Sequence, residues 1–95
     1  MDEFEEAPGR RKVLRKYKLT QIDFEFMLGQ QGGVCAICER KPVRRNFCVD
    51  HDHATGRVRG LLCGECNIGL GKFKDSSYLL KQATEYLEKK NGPVS

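Results

Sequence analysis

Two cysteine pairs and one histidine-rich stretch hold the residues whose types and spacing could do chemistry. Cys35 and Cys38 form one C-x-x-C and Cys63 and Cys66 another, with 24 residues between Cys38 and Cys63. Each pair can act as a knuckle supplying two thiolates, and two knuckles complete the tetrahedron that Zn²⁺ adopts in structural sites. A lone C-x-x-C could be a redox pair. Two of them, without a thioredoxin-like βαβ pattern, favour a structural zinc. Cys48, the fifth cysteine, sits between Phe47 and Val49 and reads as a small buried apolar side chain rather than a reactive thiol.

Inside the segment that the cysteines bracket lies "DHDH", Asp50 to His53, with the only two histidines of the chain. A carboxylate such as Asp50 is a hard oxygen ligand suited to Mg²⁺, Mn²⁺ or another divalent cation. An imidazole such as His51 suits the role of general base. Asn67 offers a neutral amide oxygen, held in place by its neighbour Cys66 if that residue binds metal. In a regular strand Asp50 and His51 would point to opposite faces. They can share a site only if the strand ends or bends between them, which the turn beginning at Asp52 allows. The plain alternative is a polar hairpin tip with solvated charges. A histidine replacing one sulfur on the zinc is a further alternative, disfavoured because four sulfurs already satisfy the ion.

The 95 residues suit one small domain, whose core is modest enough that a metal is a common supplement. Residues 1–9 read as a disordered acidic tail ending in Pro8-Gly9, and residues 10–95 as a single domain. The formal charge is +4, from 17 basic and 13 acidic residues. Four of the acids are Asp2, Glu3, Glu5 and Glu6; without them 17 bases face nine acids, +8. Arg10, Arg11, Lys12, Arg15, Lys16 and Lys18 cluster, while Arg57, Arg59, Lys72 and Lys74 flank the histidine segment. This pattern suits a polyanionic partner, the alternative being a solvated face. No apolar run is long enough to span a membrane, and the acidic start lacks a basic-then-apolar leader pattern. The expected location is the cytoplasm, or the nucleus if the host has one, where thiols stay reduced and cysteine pairs favour metals.

These groups need elements to position them. "LTQIDFEFMLGQQGG" predicts a helix capped by Thr20, with Asp23 as capping-box partner and Gly32-Gly33 as the stop. Its expected core face is Ile22, Phe26 and Met27, widened by Phe24 and Leu28. "NFCVDH" and "GRVRGLL", separated by "DHATG", predict a β-hairpin. "CGECNIGLGKF" predicts a short helix, intrinsically poor because glycines cost about 1 kcal/mol each in a helix interior. Zinc at Cys66, in its first turn, would pin its start. "DSSYLLKQATEYLEKK" predicts a last helix, capped by Asp75 or Ser76 and stopped by "NGP". Its stripe of Leu79, Leu80, Ala83, Tyr86 and Leu87 suits core or a homodimer face. The fold class is therefore small α+β: a zinc-stapled ββα finger flanked by N-terminal and C-terminal helices.

The stretches "KYKLTQIDFEFMLGQQGGVCAIC" and "VDHDHATGRVRGLLCGECNIGLGKF", with a final helix ending "ATEYL", resemble the recombination endonuclease VII family of phages. That family lies within the H-N-H, or ββα-metal (His-Me finger), nucleases, and the similarity covers about residues 15 to 88. The resemblance implies a DNA endonuclease of a phage or infected bacterial cell. Asp50 and Asn67 resemble ligands of a catalytic Mg²⁺, Mn²⁺ or similar ion, and His51 the general base. His53 resembles a second active-site histidine near the scissile phosphate, and Cys35, Cys38, Cys63 and Cys66 the zinc ligands. Leu70 stands where some relatives carry an acid. Junction-resolving members use a longer C-terminal region to dimerise and engage branched DNA, so the resemblance implies cutting of double-stranded or branched DNA without specifying junctions. A non-catalytic zinc module binding nucleic acid or protein is the alternative. Arg57, Arg59, Lys72 and Lys74 are the expected phosphate contacts beside the site, with Arg10, Arg11, Lys12 and Arg15 further out.

Overall fold

A computed structural model describes residues 10–89. The acidic stretch at residues 1–9 and the "NGP" stop lie outside the described residues. The elements run α1 (Arg10–Lys16), α2 (Gln21–Gln30), a 3-10 turn (Val43–Arg45), β1 (Cys48–His51), β2 (Val58–Leu62), α3 (Gly64–Lys72) and α4 (Ser77–Glu88). The strands pair antiparallel as a hairpin, and α3 packs on both of them. This is the expected ββα unit between flanking helices.

Helix α2 begins as a capping box: Asp23 N–H donates to Thr20 Oγ1 at 3.0 Å, and Thr20 N–H to Asp23 Oδ2 at 2.9 Å. It ends where Gly32 and Gly33 take φ of 71° and 78°. Gly33 N–H reaches back to Leu28 O at 2.9 Å and Gly32 N–H to Gly29 O at 3.0 Å, a glycine-dependent stop. The buried face differs from the expected one. Phe24 and Leu28 are buried with Met27 beside them, whereas Ile22 is 80% and Phe26 65% exposed. Two residues rotate a helix by about 200°, so these are two i,i+4 rows on opposite sides. The core takes the Phe24 row, which meets the Phe47 ring edge-on at 6.4 Å between centroids.

The main core joins Leu14 of α1, Phe24 and Leu28 of α2, Phe47, Val49 of β1 and Leu61 of β2. Arg10 belongs to it rather than to the basic surface. It is 4% exposed, its guanidinium lies 4.0 Å from the centroid of the Phe24 ring, and it donates to the Arg45 carbonyl. Arg45 in turn pairs with Glu25 at 2.6 Å.

Gln31 fastens α2 to the hairpin. Its Nε2 donates to Leu61 O at 2.9 Å and to Val34 O at 2.8 Å, and Leu61 N–H donates to its Oε1 at 2.9 Å. The side chain therefore imitates a neighbouring strand along β2.

Helix α3 starts at Cys63, whose Sγ accepts from Cys66 N–H at 3.4 Å. Helix α4 is capped by Ser76, whose Oγ accepts from Leu79 N–H at 3.0 Å. The α4 stripe is not core among the described residues. Neither buried cluster draws on it, and Tyr86 and Leu87 are 75% and 79% exposed. The helices and hairpin before it already close the core. No helix among the described residues is long and apolar enough to cross a membrane.

Candidate active site

The two knuckles meet. The sulfurs of Cys35, Cys38, Cys63 and Cys66 all lie within 4.8 Å of one another, and Cys38 Sγ is 3.7 Å from Cys63 Sγ. A tetrahedral Zn²⁺ with bonds of about 2.3 Å puts its sulfurs about 3.8 Å apart, so the spacing fits. Leu62 and Leu70 pack against the cluster. Leu70 is thus spent on covering the sulfurs.

The local electrostatics favour a cation. Burial opposes ionisation of Cys35, but backbone N–H groups of Cys63, Cys38 and Ile37 outweigh it and bring the thiol down to about 6. Arg40, its Nε 3.4 Å from Cys38 Sγ, lowers the Cys38 thiol. Burial and then the neighbouring sulfurs push Cys66 up to about 12. Four sulfurs so close resist common ionisation unaided, and a divalent ion removes the conflict. The cluster could therefore hold a metal ion. Cys48 is half-buried and apart from it, and burial pushes its thiol up, away from reactivity.

The histidine segment sits at the end of the hairpin, where the pairing breaks. Asp50 opposes Gly60 but His51 opposes Val58, so Arg59 is an extra residue on β2. The register shift falls between Asp50 and His51, and β1 ends at His51. Asp52 then builds the turn: its Oδ1 accepts from Ala54 N–H at 2.8 Å and Thr55 N–H at 3.1 Å. Those two donors, Thr55 foremost, hold its carboxyl below the usual carboxylate range.

Each site residue has identifiable neighbours. Arg59 clasps Asp50, with Nε to Oδ2 at 2.7 Å and Nη2 to Oδ1 at 3.1 Å, and also reaches Asp75 Oδ2 at 3.0 Å. Asp50 and then Asp75 push the guanidinium pKa upward. Lys74 and Asp75 both hold φ of 56°, a left-handed backbone that is costly for residues other than glycine. That turn delivers Asp75 to Arg59. His51 Nδ1 lies 3.0 Å from Tyr17 Oη, and its ring stacks on His53 at 5.0 Å between centroids. Both histidines lie outside the sulfur cluster. Asn67 is half-buried in the first turn of α3, its N–H donating to Cys63 O at 3.0 Å.

Among the expected phosphate contacts, Arg11, Lys12 and Arg15 on α1, Arg57 in the turn, and Lys72 and Lys74 after Asn67 are exposed. Arg10 is buried, and Arg59 is engaged by two carboxylates. Sequence reasoning missed three residues. Tyr17 lies inside a basic run, between Lys16 and Lys18, and carries no periodic signal. Asp75 reads as a helix cap. Gln31 looks like a polar residue ahead of a glycine stop.

Two mycobacteriophage proteins are similar to this chain. The "Gene 59 protein" of Mycobacterium phage D29 is 42% identical over 80 residues, covering 82% of this chain and 48% of that protein. The "Gene 59 protein" of Mycobacterium phage L5 is 42% identical over 78 residues, covering 80% and 48%. The chain spans about half the length of the curated relatives it matches. The sequence profile of the recombination endonuclease VII family matches residues 10–89, which include both knuckles, the bulged hairpin and all four helices described above. The chain therefore belongs to the recombination endonuclease VII family.

Proposed function

We propose that this chain is a zinc-stapled, divalent-cation-dependent DNA endonuclease that hydrolyses phosphodiester bonds. The observation that carries the reading is the bulge between Asp50 and His51, in a chain whose family is that of a nuclease. The ladder shifts register there and β1 ends at His51, so the strict alternation of a long regular strand is not imposed on the pair of a metal ligand and a base.

In this reading the four cysteines hold Zn²⁺ and fix the start of α3, and with it Asn67. Asp50 and Asn67 would hold the catalytic cation, Mg²⁺ or Mn²⁺ by the hardness of their oxygens. Bound there, such an ion supplies charge neutralisation at the phosphate and at the departing 3′-oxygen. His51 takes the proton from the attacking water, a role typically worth about 10²- to 10⁴-fold in rate. His53, stacked on His51, donates to a phosphate oxygen. Arg57, Lys72 and Lys74 hold the backbone beside the cut, with Arg11, Lys12 and Arg15 further along.

The test is nicking of supercoiled plasmid with Mg²⁺ or Mn²⁺, with and without chelator. The parent should nick only with the cation. His51→Ala should lose cutting while keeping zinc and DNA binding. Near-parent cutting by His51→Ala would overturn the base assignment. The hold of Arg59 on both Asp50 oxygens favours one other reading, a zinc module that binds nucleic acid without cutting it. Absence of nicking by a zinc-loaded protein that still binds DNA would select that reading.

A further inference from the structure

Tyr17 connects the end of the basic helix α1 to the histidine segment. Its Oη lies 3.0 Å from Nδ1 of His51, across 34 residues of chain, and the two ring centroids are 5.0 Å apart with planes tilted by 39°. The tyrosine is itself well held. It is half-buried and packs against the main core, beneath a chain turn in which Tyr17 N–H donates to Val13 O at 3.2 Å and Leu19 N–H to Leu14 O at 2.8 Å. Leu14, one turn earlier on α1, is among the buried core residues. The phenol is therefore fixed by core packing as well as by its contact with His51.

A neutral imidazole carries its proton on one nitrogen and a lone pair on the other. The bond made by one nitrogen sets what the other can do. Stacking on His53 restrains the ring plane but does not choose between tautomers. A phenol can donate or accept, so it can select either tautomer.

We infer that Tyr17 is the positioning residue for His51: its phenol oxygen accepts from Nδ1–H, so that Nε2 keeps the lone pair that takes a proton from water. This rests on the reading of His51 as general base. Removing the hydroxyl leaves Nδ1 without this partner, and the neutral ring then divides between tautomers and turns more freely. Orientation of a reacting group is lost even though every group touching the substrate remains.

The experiment uses the full zinc-loaded chain, labelled with ¹⁵N-histidine, as parent and as Tyr17→Phe. Long-range proton–nitrogen correlation spectra, taken where the ring is neutral, read the tautomer directly. The parent should show His51 protonated at Nδ1, and Tyr17→Phe a shift toward Nε2–H. In the nicking assay Tyr17→Phe should lower kcat by about ten-fold or more, as loss of an orienting partner commonly does, with KM for plasmid and zinc content unchanged. An Nε2–H tautomer in the parent would overturn the inference, because the tyrosine would then be donating. So would Tyr17→Phe with parental tautomer and parental kcat. If the parent does not nick at all, the nuclease reading fails, and the spectra still decide whether Tyr17 sets the tautomer.

Discussion

Arg59 clasps both carboxylate oxygens of Asp50, at 2.7 Å and 3.1 Å, from the one residue that the bulge adds to β2. If Asp50 is a cation ligand, a guanidinium already spans its two oxygens. Asp75 gives that guanidinium a second anchor at 3.0 Å, to which it can retreat. Arg59→Gln should therefore tighten Mn²⁺ binding to the zinc-loaded protein by roughly two- to ten-fold, within the range of a partly exposed ion pair. Titration followed by the Mn²⁺ electron-spin signal measures it, with Asp50→Ala as the control that loses the site. Weaker binding in Arg59→Gln would show the opposite role, a support that orients Asp50 toward the ion.

Gln31 satisfies the N–H of Leu61, a residue with no exposed surface. Gln31→Ala strands that donor and should cost about 1–3 kcal/mol in a urea unfolding experiment. Gly60 tests the same clamp from the other side. A Cβ there would lie 3.2 Å from Gln31 Oε1, and three hydrogen bonds prevent the amide from backing away. Gly60→Ala should be destabilising in the parent and much less so in Gln31→Ala. Equal penalties in both backgrounds would mean that the crowding lies elsewhere.

Much of this architecture was legible because it rests on local chemistry. Thr20 and Asp23 announce a helix start, Gly32 and Gly33 its stop, and "DHATG" a hairpin turn, each within a few residues. The cysteine spacing foretells the cluster because a tetrahedron of sulfurs leaves few arrangements. Strand alternation alone sets the condition that the strand must end or bend for Asp50 and His51 to share a site. What sequence could not supply is the choice between equivalent local options. Both i,i+4 rows of α2 are apolar, and only packing against Phe47 selects Phe24 over Phe26. Arg10 looks like any surface base until Phe24 is found beneath it. The contacts of Tyr17, Arg59 and Asp75 join distant segments, so no periodicity marks them. Leu87 fits a core stripe, yet the core is full without it.

The basic residues divide into two kinds, and variants should separate them. Arg10→Ala removes a buried cation stacked on Phe24 and a donor to the Arg45 carbonyl, and should lower stability by roughly 1–2 kcal/mol. Lys72→Ala and Lys74→Ala, both on the exposed surface, should leave the melting temperature nearly unchanged. In the proposed nuclease each should flatten the plot of log affinity for duplex DNA against log salt, by about 0.9 for each phosphate that is no longer neutralised. A flat salt profile in the parent would remove the basic-surface account altogether.

Asp52 ties the turn through its carboxylate, and the sign of its pH dependence is fixed by the direction of its shift. The folded carboxyl titrates below the usual range, so its stabilisation is fully present above the unfolded value of about 3.9 and is lost only as pH falls through the folded one. Between about pH 6 and 9 neither state of Asp52 titrates. Asp52→Ala should therefore lower the melting temperature by a constant amount across that window, and Asp52→Asn, which keeps an acceptor oxygen, by less. A difference that narrows within that window would mean that the carboxylate is not what the Ala54 and Thr55 amides hold.

Metal removal should be the most severe perturbation. Helix α3 carries glycines at 64, 69 and 71 and buries no side chain of its own below Cys63, so neither propensity nor core packing accounts for its start. What pins it is the pair Cys63 and Cys66, joined to the knuckle of Cys35 and Cys38. Structural zinc contributes on the order of 10 kcal/mol in small domains, comparable to the entire stability of a chain this size. A strong chelator, or Cys66→Ser, should therefore unfold the hairpin and α3 together. The expected signature is loss of helical circular dichroism, together with loss of amide protection at Leu61 and Leu62, and in the chelated parent both should return on adding Zn²⁺. Protection at Leu61 and Leu62 that survives complete chelation would show that packing from α2 and Gln31 suffices, and would reduce the sulfur cluster to an accessory.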